Sequence, residues 1–369
     1  MNVAFVHDWL NGMRGGEKVL EALLPLWPDA DIYTLFYEPE KISPVIRRHQ
    51  VFVSALQKLP GARRQYRNLL PLFPWAIKQF ELSRYDLVIS VSHCVAHAAI
   101  ASSPDHHFCY CLSPMRYLWS QMDSYSNAKQ TGVLSRLGMA ALGGPLRAWD
   151  RATNWRAGRF CAISETIADR IQLAYNRPSE VIYPPVDTIF YTPGHAREGQ
   201  YYLAVSSAVP YKRLDLAIEA CNTLHLPLKI VGGGPGMARL QKMAGHTVEI
   251  LGWVSDEQLR ELYRGCKALI FTPEEDFGIA PLEAQACGKP VLAYGRGGAL
   301  ETVIGGQTGA FFYEQRSEIL IEALKHFDAQ RFTPADCRAN ALRFGKERFQ
   351  AQFRAAIDRF LVDHAVAVR

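Results

Sequence analysis

Apolar residues in this chain come in short dense runs, and the runs alternate with longer stretches in which apolar positions recur every three or four residues. NVAFVH (2–7), ADIYTLFY (30–37), YDLVISVS (85–92), HHFCYCL (106–112) and GRFCAIS (158–164) read as buried strands. EKVLEALLPLW (17–27) puts Val19, Leu20, Leu23, Leu24 and Trp27 on one helical face. Gly12, Gly15 and Gly16 before it predict a loop. SETIADRIQLAY (164–175) reads as a helix opened by Ser164, and SEVIYPPVDT (179–188) as a strand ended by Pro184 and Pro185. The stretch from about 124 to 157 reads as helical and connective.

YTPGHAREGQ (191–200) is polar, rich in turn residues and without period, and it marks a domain boundary near 187–200. The alternation then restarts. Strands are expected in YYLAVSS (201–207), LPLKIV (226–231), TVEILGWV (247–254), KALIFT (267–272) and KPVLAY (289–294). Helices are expected in RLDLAIEACNTL, MARLQKMA, SDEQLRELYRGC, PLEAQAC, ALETVI and the long closing run 344–366. Ser255 and Gln258 have capping-box spacing. Strand–helix alternation twice over predicts an α/β protein of two doubly wound, Rossmann-like domains, residues 1–187 and 188–350, with a closing helix 351–369 on the first domain. Ligand is expected in a cleft, at the carboxyl ends of the strands.

The 369 residues suit two domains of about 150 each. The net charge of +5 is too mild to imply nucleic-acid binding. The eight cysteines form no CxxC pair and no metal-ligand spacing, and read as reduced and cytosolic. The first twelve residues are too short and polar for a signal peptide, and no apolar run reaches the ~20 residues of a membrane span. VGGGPG (231–236) fails as a dinucleotide fingerprint, because its third glycine would fall at Met237. Asp29-Ala30-Asp31 has the DxD form of a metal site but reads as a turn.

The segment TPEEDFGIAPLEAQACGKPVLAYG (272–295) carries the chemistry. It is a strand end, a loop and a helix for which Pro281 suits the first position, with Glu275 and Glu283 eight residues apart. Free amides at a helix start attract phosphate, and ionised carboxylates accept hydrogen bonds from vicinal hydroxyls. A nucleotide sugar offers both groups.

EDFGIAPLE resembles the E-x7-E motif of family 4 retaining glycosyltransferases of GT-B fold. VSSAVPYKRLDLAIEA (205–220), VGGGPG, LGWVSDEQLRELY and GGALETV (297–303) follow in the family's order. DWLNGMRGGEKVLEAL, SPMRYLW (113–119) and VIYPPVD (181–187) are similar to mannosyltransferase-like members that build bacterial surface polysaccharides. The resemblance implies transfer of a hexose, mannose favoured, from a nucleotide diphosphate sugar, GDP-mannose favoured, to a saccharide or lipid-linked acceptor, without metal or other cofactor. It implies that Glu275 contacts the donor hexose, that Glu283 holds the ribose, and that Phe277, Gly278 and Ile279 line the diphosphate and sugar through their backbone. Lys212 would neutralise the diphosphate, with Arg213 beside it; Val254 would lie by the base, and Ser207 and Gly233 would complete the donor site. Gly15, Gly16 and Arg116 would stand on the acceptor side. Two positions depart from the pattern. Ser206-Ser207 replaces Gly-Arg, and Leu112-Ser113-Pro114 lacks a sugar-contacting His, for which His93 or His97 could substitute. A 2-epimerase of the same fold, a dehydrogenase and a non-catalytic nucleotide-sugar sensor are the rival readings.

From Lys41 to Phe80 there are eight Lys and Arg and no Asp or Glu, interleaved with aromatic and leucine residues. This composition suits an anionic leaflet, and predicts a peripheral protein at the inner face of the cell membrane.

Overall fold

The computed structural model describes residues 1–119, 133–194 and 199–367. The chain forms two compact units, one of residues 1–184 and 349–369, the other of residues 185–348.

In the first unit, seven parallel strands appear among the described residues: β1 (Val3–His7), β2 (Asp31–Thr34), β3 (Val51–Val53), β4 (Leu87–Ser92), β5 (His107–Cys111), β6 (Arg159–Ala162) and β7 (Ser179–Val181). Their order in the sheet is β3-β2-β1-β4-β5-β6-β7, so the winding reverses between β1 and β4. Every residue of β1, β4 and β5 is buried. That explains why these runs are dense in apolar residues and do not alternate, since a parallel sheet is covered on both faces. Helix Gly15–Leu23 buries Val19, Leu20 and Leu23. The closing helix Lys346–Ala367 buries Phe349, Phe353 and Phe360 along one stripe. Phe353 meets Phe108 at 5.6 Å, Tyr110 at 5.4 Å and Trp27 at 6.2 Å between ring centroids.

The second unit repeats the winding with β8 (Tyr202–Val205), β9 (Leu228–Val231), β10 (Val248–Gly252), β11 (Leu269–Phe271), β12 (Val291–Tyr294) and β13 (Gly309–Phe312), in the order β10-β9-β8-β11-β12-β13. All pairings are parallel, and the reversal falls between β8 and β11. Ser255 caps helix Asp256–Gly265 and Gln258 closes the capping box, as their spacing predicts. All eight cysteines are free and buried.

The structure departs from the sequence reading at Gly15 and Gly16, at the start of helix Ile279–Ala286, and at β3 and β13. Gly15 and Gly16 are the first two residues of a helix, not a loop, because Arg14 is extended and its N–H is accepted by Glu17 Oε2 at 3.1 Å. Helix Ile279–Ala286 starts two residues before Pro281, since Gly278 takes the N-cap position at φ +95°. Pro281 still costs nothing there, being within the first turn, but Glu283 falls in the second turn. Edge strands β3 and β13 were not anticipated. The first is three residues long and half-buried, too short to stand out in a basic segment. Residues 120–132 and 195–198, within the expected connective and linker stretches, lie outside the described residues.

Candidate functional site

Parallel α/β sheets bind ligands at the carboxyl ends of their strands, where the winding reverses. In the second unit that point is the ends of β8 and β11. After β8 the chain turns through a 3-10 helix, Pro210–Lys212, and after β11 it runs through the loop 272–278. The Lys212 ammonium forms an ion pair with Glu275 Oε1, and their side chains are only 13% and 14% exposed. Thr272 fastens the two segments together. Its hydroxyl donates to the Lys212 carbonyl at 2.8 Å, and its own carbonyl accepts from Gln315 Nε2 at 2.8 Å. On the other side of the loop, Gly298 N–H donates to the Glu275 carbonyl at 2.8 Å. Glu275 is thus fixed through its backbone while its carboxylate holds Lys212.

The other expected donor residues lie on the loops and the helix that follow β8, β9, β10 and β11. Phe277 is buried, its ring 5.8 Å from Phe344. Gly278 and Ile279 form the helix start. Glu283 is 7% exposed, and its Oε2 accepts from the buried Tyr263 hydroxyl at 2.9 Å. Gly233, after β9, accepts from Ala208 N–H at 2.9 Å, tying its loop to the one holding Ser207. Val254, after β10, packs on the apolar cluster that contains Phe271. Arg213 does not present its guanidinium beside the Lys212 ammonium. It sits at φ +51° and is turned to Asp215, at 3.3 Å, and to the Gln315 carbonyl, at 3.1 Å.

The first unit has its own pair at the corresponding reversal, the ends of β1 and β4. Asp8 follows β1 and is fully buried. Its two oxygens accept the backbone N–H groups of His93, Cys94, Val95 and Ala96 at 2.7–2.9 Å. His93 Nδ1 lies 3.2 Å from Asp8 Oδ2, an electrostatic approach off the line of a good hydrogen bond. The His93 ring also stands edge-on to Trp9, with centroids 4.4 Å apart. Burial lowers the pKa of His93 despite Asp8, and the nearby charges of Arg116 and Arg14 act in the same direction. Arg116, the first residue of the short helix Arg116–Trp119, is therefore within electrostatic reach of His93. Gly16 packs onto His7 and Leu112; a Cβ there would come within 2.9 Å of Leu112 Cδ1, so the Leu112 side chain would have to shift to admit one.

Of the two histidines that could substitute at Leu112, His97 does not qualify. It is buried, with Nε2 3.3 Å from Asp150 Oδ1, inside the core of its own unit. His93 keeps a quarter of its side chain exposed. Asp31, in the DxD turn, opens β2 at the end of its sheet away from Asp8 and His93, and is held by Arg84 and Tyr85.

Asp8 and Glu17 were not anticipated as key residues. The signal for Asp8 was a lone acid directly after five buried strand positions. Glu17 is 3% exposed, and burial pushes its carboxyl up from 4.5 to about 7, against the lowering effect of Arg14. Below about 4.5 both folded and unfolded states hold the proton. Above that the unfolded state releases it first, so stability falls as the pH rises through about 7 and is then level. At about 1.4 kcal/mol per pKa unit the loss approaches ~3 kcal/mol. Glu17→Gln, which can still accept from Arg14 N–H, is expected to match the wild type near pH 4 and exceed it by ~2–3 kcal/mol at pH 8 in urea unfolding. Equal stability at both pH values would contradict a buried, proton-holding Glu17.

Residues 187–344 match the family model described as Glycosyl transferases group 1. Alpha-1,3/1,6-mannosyltransferase ALG2 of Dictyostelium discoideum is 51% identical over 153 residues, covering 34% of this chain and 36% of that protein. The GDP-mannose-dependent alpha-(1-6)-phosphatidylinositol monomannoside mannosyltransferase of Mycolicibacterium smegmatis is 34% identical over 163 residues, covering 35% of this chain and 42% of that protein. The chain thus spans about two fifths of the curated relatives it matches. The crystal structure of Anabaena Alr3699/HepE in complex with UDP superposes with a TM-score of 0.71 at 17% identity, over 97% of this chain and 100% of that one. The second unit accordingly matches the group 1 glycosyl transferases, and the two parallel sheets have the α/β architecture of GT-B glycosyltransferases.

Proposed function

We propose that the protein is a family 4 retaining glycosyltransferase that moves a hexose, mannose favoured, from a nucleotide diphosphate sugar to a saccharide or lipid-linked acceptor in polysaccharide synthesis. The observation that carries this is the Lys212–Glu275 pair at the β8/β11 reversal, on a segment with E-x7-E spacing. When donor binds, its diphosphate competes with Glu275 for the Lys212 ammonium, and the hexose hydroxyls take over the Glu275 carboxylate. Neither charge is left unpaired. The bond from the anomeric carbon to the phosphate oxygen breaks as the bond to the acceptor oxygen forms, and the acceptor hydroxyl's proton passes to the leaving phosphate. Lys212 and the amides that open helix Ile279–Ala286 stabilise the charge that grows there. GDP-mannose is the favoured donor, and the relatives with mannosyltransferase names support it.

The reading includes a cytoplasmic protein in peripheral contact with an anionic membrane through residues 41–80. No helix among the described residues is long and apolar enough to cross a membrane.

The test is thermal unfolding with GDP, UDP and ADP, followed by transfer from the matching radiolabelled nucleotide sugar in the presence of a membrane extract. One nucleotide at 100 times its Kd is expected to add about 2.7 kcal/mol of stability. Transfer is expected to need the extract and to survive EDTA. Interconversion of the sugar nucleotide without acceptor would mark an epimerase, and no stabilisation by any nucleotide would remove the donor site altogether.

A further inference from the structure

In the first unit the basic segment folds as a 3-10 helix, Tyr66–Leu72, that runs directly into the short helix Phe73–Ile77. Tyr66, Leu70, Phe73, Ala76 and Ile77 are buried in the unit's core. The opposite side is the unusual one. Leu72, Trp75 and Lys78 are exposed there, and Arg67 is exposed as well. Leu72 is 43% and Trp75 51% exposed. These two are three residues apart, which places them together on one helical face. Leu59, also 43% exposed, lies a few residues upstream, beside an open hollow lined by Gln57, Gly61 and Arg63. So the segment has apolar residues on both sides. One set fills the core, and the other is held out in water.

The charge around the outer set argues for what covers it. Residues 41–80 hold eight cations and no acid. Lys41 is paired with Glu38, which lies outside the segment, and Arg67 leans on the ring of its neighbour Tyr66. A segment whose charges are all positive and which exposes Trp and Leu is complementary to an anionic leaflet, where indole rings sit at headgroup level and Lys and Arg reach the phosphates. A second copy of this chain would set like charges against each other. We infer that Leu72 and Trp75 enter the boundary of headgroups and acyl chains of an anionic bilayer, with Arg67 and Lys78 on the lipid phosphates at either end of the stripe. This inference rests on the proposed membrane contact of residues 41–80 and names the side chains that make it.

The full-length chain can test it directly. Because all eight native cysteines are buried, a Leu72→Cys variant can be labelled selectively with an environment-sensitive fluorophore. The label is expected to shift to the blue with vesicles of mixed phosphatidylglycerol and phosphatidylcholine, but not with phosphatidylcholine alone. In sedimentation, Leu72→Ser/Trp75→Ala is expected to bind the anionic vesicles roughly tenfold more weakly than wild type, with an unchanged circular dichroism spectrum. If the wild type ignores anionic vesicles at low salt, the membrane reading itself fails and the inference with it. If the wild type binds, but the double variant binds equally and the label does not move, the membrane reading survives on charge alone and the inserted stripe is wrong. A blue shift on raising protein concentration without lipid would assign the stripe to a second copy and overturn the inference.

Discussion

Lys212→Ala is expected to lower kcat by roughly 10²–10³ while changing the donor KM far less. The reason lies in when the charge is needed. On the proposed reading, loop amides and solvent already neutralise part of the diphosphate charge in the ground state. As the anomeric bond stretches, negative charge moves onto the leaving oxygen, and only a group already in position can respond without reorganising. Lys212 is in position because the Thr272 hydroxyl holds its backbone to the end of β11 and Glu275 holds its ammonium. No second cation backs it up from the neighbouring position, as Arg213 is committed to Asp215 and Gln315. The same pairing adds a stability effect. Removing Lys212 leaves a largely buried Glu275 without its cation, which costs about 1–3 kcal/mol. Lys212→Arg, which keeps the charge on a different shape, should recover stability more than turnover. Normal turnover with a raised KM would show that Lys212 only binds donor, and the assigned role would be lost.

Most of the fold could be read from the chain because its strands are buried on both faces. NVAFVH, LVISVS and HFCYC are short, mostly apolar runs without alternation, as a parallel strand covered on both faces requires. β3 and β13 escaped for the converse reason. They sit at the sheet edges, short and partly exposed, and little is demanded of their sequence. In the second unit the spacing of Glu275 and Glu283 pointed to the loop that follows β11 at the winding reversal. It could not show that Lys212, 63 positions upstream of Glu275, would be its ionic partner, because that contact depends on the sheet placing β8 next to β11. The start of helix Ile279–Ala286 was misjudged by giving Pro281 more weight than Gly278, whose left-handed φ ends the loop. The first unit's pair was hidden by distance as well. Asp8 and His93 are 85 residues apart and meet only because β1 pairs with β4. In both units, therefore, the sequence carries the local pieces, and the point where the winding reverses brings the charged ones together.

The fully buried Asp8 is where a small change should do most harm to the first unit. Its carboxylate accepts four backbone N–H groups, from residues 93 to 96, and has His93 Nδ1 close by. Asp8→Asn keeps the shape and removes one acceptor. Whichever way the new amide turns, its NH2 group faces two N–H donors, so two buried donors lose their partner and meet a third donor instead. Each unsatisfied buried donor costs about 1–3 kcal/mol, and the total expected loss is roughly 3–5 kcal/mol. That is a large part of the 5–15 kcal/mol by which a folded protein is typically stable. Hydrogen exchange should locate it, with the amides of His93, Cys94, Val95 and Ala96 losing protection while those of β8 and β9 keep theirs. His93→Gln alone should cost much less, since the backbone bonds to Asp8 survive. If Asp8→Asn unfolds at the same urea concentration as the wild type and those four amides exchange no faster, the carboxylate does not hold the turn after β4, and the pairing at the β1/β4 reversal loses its structural basis.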